Sequence, residues 1–275
     1  MLNVKFQHAN EVLEVSSMKI AVCIKQAIDV SQLKIDQTTK KPIIAAAPRK
    51  MSDIDRNAVE EAVRLKEKYG GSIVAITVGT EKAKEVLREA LAMGADEAYL
   101  ICDEKLRNID THVTAKALAS AIKKIGPIDI ILCGEVTIDT YSGQVGPRTA
   151  ELLDIPCITH AKSIKVEGKK VVVERDLEDK YEIIEAEMPV LLTVTKEINV
   201  PRLPPLMAIL RAARKQINTL NAEALEIEVE EPGIEVIDVQ ALEMKRKMHI
   251  IKDKPADEAV KELLELLAKE GVIGG

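Results

Sequence analysis

The sequence has 275 residues and a formal net charge of −6. It is long enough for one large domain, or a domain with an appendage, and too acidic to hold a nucleic acid by bulk charge. No run reaches the ~20 apolar residues of a membrane-spanning helix, so no membrane insertion is expected.

Residues 1–17 have no long apolar segment and no cleavage-site pattern, so they read as a short extension rather than a secretory signal. From Met18 onward, β-rich apolar runs alternate with helical patterns. Runs at 20–24, 72–78, 97–101, 128–133 and 190–194 predict strands; helical spacing at 58–69, 82–93, 111–125 and 146–153 predicts helices. In the first helix Ala58, Ala62 and Leu65 share a face, with Glu60, Glu61, Lys66 and Glu67 expected outward, and Gly70-Gly71 ends it. Thr80 and Asp110 are expected N-caps. Apolar strands separated by helices imply an α/β fold with a mainly parallel, Rossmann-like sheet covered on both faces. Ligands of such sheets sit beyond the carboxyl ends of the strands, so the site is expected after Ile24, Val78 and Cys133.

The pattern changes at Ile158. Residues 158–166, 170–175 and 181–186 alternate in polarity and are joined by Glu167-Gly168 and Glu178-Asp179, which predicts an antiparallel excursion. Pro201, Pro204 and Pro205 then break regular structure, before a basic, apolar-faced helix over 206–215. The tail carries an acidic strand-like stretch at 224–230 and a final helix over 255–270, with Asp253 as its expected cap and Leu263, Leu264 and Leu267 on its apolar side. So long a tail, with so little core of its own, is expected to pack on something else. The expected division is an extension at 1–17, an α/β domain at 18–195, and a C-terminal arm at 196–275.

With no Trp and one Phe, the core falls to Ile, Val, Leu and Ala, and no aromatic set is available to stack single-stranded bases. Cys23, Cys102, Cys133 and Cys157 form no CxxC pair. That argues against a metal site and for reduced cysteines in a cytoplasmic protein.

The segment GEVTIDTYSGQVGP at 134–147 carries the strongest chemistry. It links a buried strand to a helix. Gly134 permits a sharp turn, and Gly143 and Gly146 permit close backbone approach to a ligand. Pro147 fits a first helical turn. A helix start with free N–H groups favours a phosphate. Gln144 adds an amide donor, and Asp139 can accept from a ribose or fix the loop. On these grounds alone, a phosphate site and a ligand-free helix start are equally good readings.

The pattern GxxxxDxxxxQ(V/T)G, from Gly134 to Gly146, resembles the nucleotide-binding signature of electron-transfer flavoprotein beta subunits. Three further segments match in order: IAVCIKQAID at 20–29, SDIDRNAVEEAVRLKEK at 52–68, and ALAMGAD at 90–96. The likeness covers most of 19–215. It implies an adenine-nucleotide-binding type of fold. It also implies a nucleotide held by Cys23, by Ser52, Asp53, Ile54 and Asp55 at the next helix start, by Val78, and by Gly134, Asp139, Gly143, Gln144, Val145 and Gly146. Ser52-Asp53 stands where most members have Asn-Pro, and Tyr141 and Ser142 also depart from the usual loop. Residues 194–216 resemble the partner-recognition loop, with Pro201, Arg202 and Leu206 in docking positions.

The resemblance further implies an alpha-subunit partner. Ordinary members hold AMP here, with the redox flavin mainly on the alpha subunit. Bifurcating and nitrogen-fixation members hold a second FAD. VCIKQ at 22–26 resembles the latter, so FAD is favoured over AMP. Lys25 and Arg148 are the basic candidates beside a flavin. The implied role is an electron-transfer subunit rather than a stand-alone enzyme. It would pass electrons from NADH or a dehydrogenase to a quinone oxidoreductase or a ferredoxin-like protein, in the cytoplasm or associated with a membrane through a partner. An ATP-pyrophosphatase would need a Ser-Gly-Gly-x-Asp-Ser-like loop after the first strand, and a P-loop enzyme GxxxxGK[ST]; neither is present. A non-redox nucleotide-binding module would not need the long tail. His112 and His160 have no Ser or Cys in a recognised elbow, and read as packing or surface residues.

Overall fold

A computed structural model describes residues 18–107, 109–229, 232–234, 236–241 and 248–273. The extension at 1–17 lies outside the described residues. The chain divides into two compact units, Met1–Val239 and Gln240–Gly275.

The first unit contains, in chain order, β1 (Lys19–Cys23), β2 (Gln26–Ile28), β3 (Arg49–Met51), α1 (Asp53–Tyr69), β4 (Ser72–Val78), α2 (Lys84–Met93) and β5 (Glu97–Ile101). There follow α3 (Thr111–Ile125), β6 (Ile130–Gly134), α4 (Val145–Leu153), β7 (Cys157–Glu167), β8 (Lys170–Leu177), β9 (Lys180–Glu187), β10 (Val190–Val194), α5 (Leu206–Arg214) and β11 (Asn218–Leu220). A nine-stranded sheet has the order β11-β5-β4-β1-β6-β10-β7-β8-β9. Pairing is parallel from β11 to β7 and antiparallel through β7, β8 and β9; β2 and β3 make a separate antiparallel pair.

Alternation along β1 places its side chains in two cores. Ile20 and Val22 enter one with residues of α1 and α2, while Ala21 and Cys23 enter the other with residues of α3 and α4. Burial on both faces is what requires continuous apolar strands. From β1 the chain builds outward to β4 and β5, then crosses to β6 and β10 on the other side. The strand order therefore reverses between β1 and β6, and the crevice beyond their carboxyl ends is the natural ligand site.

Several local expectations are corrected. α1 starts at Asp53, five residues earlier than its apolar spacing suggests. Glu60 and Glu61 are buried rather than outward, because segment 196–202 covers them and supplies polar partners. The predicted strand at 224–230 is instead a turn over 222–226, closed by Asn221, whose side chain accepts the Ala224 N–H at 2.8 Å; Glu230 lies outside the described residues. Leu225, Ile227 and Val229 use their apolar side chains to cover the second core. The strand is β11, which pairs with β5. Asp110 caps α3 as expected, accepting the His112 and Val113 N–H groups at 2.9 Å, whereas the Thr80 side chain makes no capping bond.

The second unit contains α6 (Ala256–Lys269). Its N-cap is Pro255, not Asp253, and none of its side chains is buried; Leu263 and Leu264 are exposed.

Candidate functional site

A cavity of about 1040 Å³ opens at the carboxyl ends of β1, β4 and β6, at the upper end of the size usual for small-molecule sites. Of the residues expected from sequence, Cys23, Asp55, Val78, Gly134, Gly143, Gln144, Val145 and Gly146 line it. Ser52, Asp53, Ile54 and Asp139 do not. Ser52 is fully buried, and its hydroxyl has no partner. Asp53 faces Lys50 at 3.0 Å and Arg56 at 3.6 Å. Ile54 is a core residue. Asp139 is turned towards Lys25, at 2.8 Å.

Two helix starts open onto this cavity. α3 begins at one wall, but Asp110 already satisfies its first N–H groups. α4 begins at another, and no side chain caps it. Its free N–H groups and positive dipole end are the best anion-binding feature of the site. Gln144 joins the two helix starts: its Oε1 accepts from the Thr111 hydroxyl at 2.8 Å, and its amide NH₂ group is the donor that the side chain can offer to the cavity.

The three glycines do different work from one another. Gly143 has φ +63°, which favours a residue without a side chain. A Cβ on Gly146 would come within 2.8 Å of the Thr193 side chain, so this glycine lets α4 approach β10. A Cβ on Gly134 would lie 2.5 Å from Asp55 Oδ1. The glycine there makes room for a carboxylate.

Asp55 is fully buried, and burial pushes its carboxyl up to about 7 against the pull of two backbone N–H groups. Those donors are Lys25 at 2.8 Å and Gly134 at 3.1 Å. Burial also acts to raise Asp139, but the hydrogen bond and charge of Lys25 outweigh it and hold this carboxyl below its usual range. Cys23 and Cys133 are register partners across β1 and β6. Hydrogen bonding to Cys23, together with burial, pushes the Cys133 thiol well above its ordinary value, which suits a packed floor and not a nucleophile. Beside the mouth, burial raises Glu135, whose carboxylate is 3.7 Å from His160 Nε2.

Several lining residues were not identified from sequence, notably Leu106, Ile109 and Thr111 near the α3 start, and Pro232, Ile234 and Val236 of the tail. No local motif marks them; tertiary folding alone brings them to the site. Among the described residues there is no cluster of His, Cys, Asp and Glu able to hold a metal, and no helix long and apolar enough to cross a membrane.

The segment expected to dock a partner has a rigid base and an exposed tip. Arg202 forks onto Glu60, at 2.8 and 3.1 Å, and onto Glu67, at 2.6 and 3.0 Å. The Asn57 amide donates to the Lys196 and Asn199 carbonyls at 3.2 and 2.8 Å. Beyond Arg202, Leu203, Leu206, Met207, Ile209 and Leu210 are exposed, with Leu206 at 70%. Pro201 is half-buried at the base.

Comparison with known proteins places this geometry in a family. Residues 41–225 match the pattern described as the electron transfer flavoprotein domain. The chain is 48% identical over 218 residues to an electron transfer flavoprotein subunit beta of Thermoanaerobacterium thermosaccharolyticum, covering 79% of this chain and 84% of that one. It is 45% identical to a subunit of the same name from Megasphaera elsdenii, covering 76% and 80%. It is 40% identical to the caffeyl-CoA reductase-Etf complex subunit CarD of Acetobacterium woodii, covering 79% and 83%. The chain belongs to the electron transfer flavoprotein family, among its beta subunits.

Proposed function

We propose that this chain binds a nucleotide, with FAD favoured, in the β1–β6 crevice, and works as the beta subunit of a heterodimer with an electron-transfer flavoprotein alpha subunit. Electrons pass from NADH or a dehydrogenase to a quinone oxidoreductase or a ferredoxin-like acceptor. The observation that carries this reading is the uncapped α4 start facing a cavity at the point where strand order reverses. The donor set fits a nucleotide. Backbone N–H groups at the α4 start suit phosphate oxygens, while Val78, Leu106 and Ile109 offer an apolar wall for a ring.

When bound, a flavin supplies hydride and single-electron chemistry. The chain's own residues bind and orient it. The cavity's volume of about 1040 Å³ supports FAD over the smaller AMP. AMP in the same crevice is the second reading, supported by the same α4 start, since a single phosphate satisfies it.

The test is to co-express both subunits, denature the purified complex, and count released nucleotides by chromatography. Two FAD and no AMP per heterodimer is the expected result. One of each supports the AMP reading. A well-folded complex that releases no nucleotide beyond the flavin held by the alpha subunit would refute the site.

The exposed α5 face is proposed as the docking surface for the electron partner, with Leu206 as an anchor. Leu206→Ala is expected to raise the KM for a cognate partner roughly tenfold or more, a loss of about 1.4 kcal/mol, with nucleotide content unchanged. An unaltered KM would remove Leu206 from that role.

A further inference from the structure

Lys25, just past β1, is bonded through both its backbone and its side chain. Its N–H donates to Asp55 Oδ2 at 2.8 Å, and Asp55 Oδ1 accepts the Gly134 N–H at 3.1 Å. Its Nζ donates to Asp139 Oδ1 at 2.8 Å and reaches the Thr137 and Thr140 hydroxyls at 3.4 and 3.3 Å. Both the beginning and the middle of the 134–146 loop are therefore tied to the end of β1 and the start of α1 around one residue.

Lys25 is also the only Lys or Arg among the described residues that line the cavity. A lone cation beside an anion-binding helix start invites a role as phosphate ligand. The geometry argues otherwise. The Asp139 side chain is only 8% exposed, and its donors besides Lys25 are neutral, namely the Thr137 hydroxyl and the Ile28 N–H, the latter distant at 3.4 Å. Drawing Lys25 onto a phosphate would leave a buried carboxylate without its cation, held by neutral donors alone, which is unfavourable. Sharing Lys25 would instead bring two anions together.

We propose that Lys25 is a positioning residue. It staples the 134–146 loop to the end of β1 through Asp139, while the backbone N–H groups of the α4 start hold the ligand's phosphate. The proposal rests on the nucleotide-site reading above.

Asp139→Asn separates the two roles, because they predict opposite signs. A staple is cut by this change, so nucleotide leaves faster. A phosphate-binding lysine is set free by it, so nucleotide is held more tightly. The experiment measures FAD and AMP release from the full heterodimer for wild type, Lys25→Met, Lys25→Arg, Asp139→Asn and the Lys25→Met/Asp139→Asn double variant. Amide hydrogen exchange over 134–146 is followed in the nucleotide-stripped complex. We expect Lys25→Met and Asp139→Asn each to speed release about tenfold, within the range of coupled neighbours. The double variant should be no worse than the worse single, Lys25→Arg should retain most of the hold, and loop exchange should rise in both single variants. Tighter binding in Asp139→Asn, additive losses in the double variant, or unchanged loop exchange would overturn the staple. If the wild-type site binds no nucleotide, the nucleotide-site reading fails, and the exchange measurement still decides the staple.

Discussion

Gly134→Ala is expected to strip the nucleotide site while the fold survives. The added Cβ would sit 2.5 Å from Asp55 Oδ1, 3.1 Å from the Asp55 nitrogen and 3.2 Å from the Ile54 carbonyl carbon. Two of these three contacts are backbone atoms of the first turn of α1, so no rotamer change relieves them. Overpacking of this kind costs about 1–3 kcal/mol. The displaced loop also begins at the residue whose N–H Asp55 accepts. Leaving a buried hydrogen-bonding group unsatisfied costs about 1–3 kcal/mol, which is about five- to a hundredfold in affinity if the loss falls on the bound state. Gly168→Ala is the control. Gly168 has φ +62° in the β7–β8 turn with open space around it, so alanine there brings backbone strain of about 1–2 kcal/mol and leaves the nucleotide in place. Equal nucleotide retention in the two variants, at equal stability, would show that the close Asp55–Gly134 approach does not hold the loop.

Arg202→Ala is expected to impair docking while leaving the nucleotide site filled. Arg202 bridges Glu60, whose side chain is 3% exposed, and Glu67, on the solvent side. Removing it leaves Glu60 with Arg64 alone, at 2.9 Å. Breaking a buried pair costs about 3–5 kcal/mol. Because Arg202 is itself 35% exposed and Arg64 remains, a loss of about 1–3 kcal/mol is expected, reduced by solvent screening. Asn57 still holds Lys196 and Asn199, but the segment beyond them loses its Arg202 tie to α1 and no longer presents the α5 face in one orientation, so the KM for the electron partner rises. Arg202→Lys is not expected to rescue, since an ammonium cannot fork onto two carboxylates.

The pH dependence of the two proteins provides a separate check. Burial would raise Glu60, but Arg202 and Arg64 hold it below its usual 4.5; the Arg202 hydrogen bonds likewise lower Glu67. Carboxyls lowered in the folded state contribute stability above their unfolded pKa, and that contribution disappears as pH falls through the folded values. The stability difference between wild type and Arg202→Ala should therefore be full at neutral pH and shrink in acid below about 4.5. A gap that is constant from neutral to strongly acidic pH would mean that the bridge contributes through packing alone.

Much of the architecture was legible in the order of residues. Ser72–Val78, Glu97–Ile101, Val190–Val194 and Thr111–Ile125 appear with the boundaries their patterns predict, because buried parallel strands and amphipathic helices each impose a period on the chain. The antiparallel excursion was legible for the same reason. The glycine loop was legible as a helix start, and the structure places that loop in the wall of the cavity. β11 was not legible, since three residues at a sheet edge carry too short a pattern.

The sequence by itself determined the alternation of strands and helices, the family, and the location of the glycine loop after β6. Only the tertiary structure decided the roles of individual polar groups. Glu60 and Glu61 follow the polar pattern of an outward helix face, yet a segment some 140 residues later closes over them. Asp139 reads equally as a ribose acceptor or as a brace for its loop, and the partner that engages its carboxylate, Lys25, lies 114 residues earlier. The family resemblance places Asp55 at the site, but only the fold buries its carboxyl between the Lys25 and Gly134 N–H groups. The physical reason is the same in each case. Periodicity reports how a side chain is placed relative to its own element, whereas burial and pairing depend on which distant element arrives beside it, and no local pattern encodes that arrival.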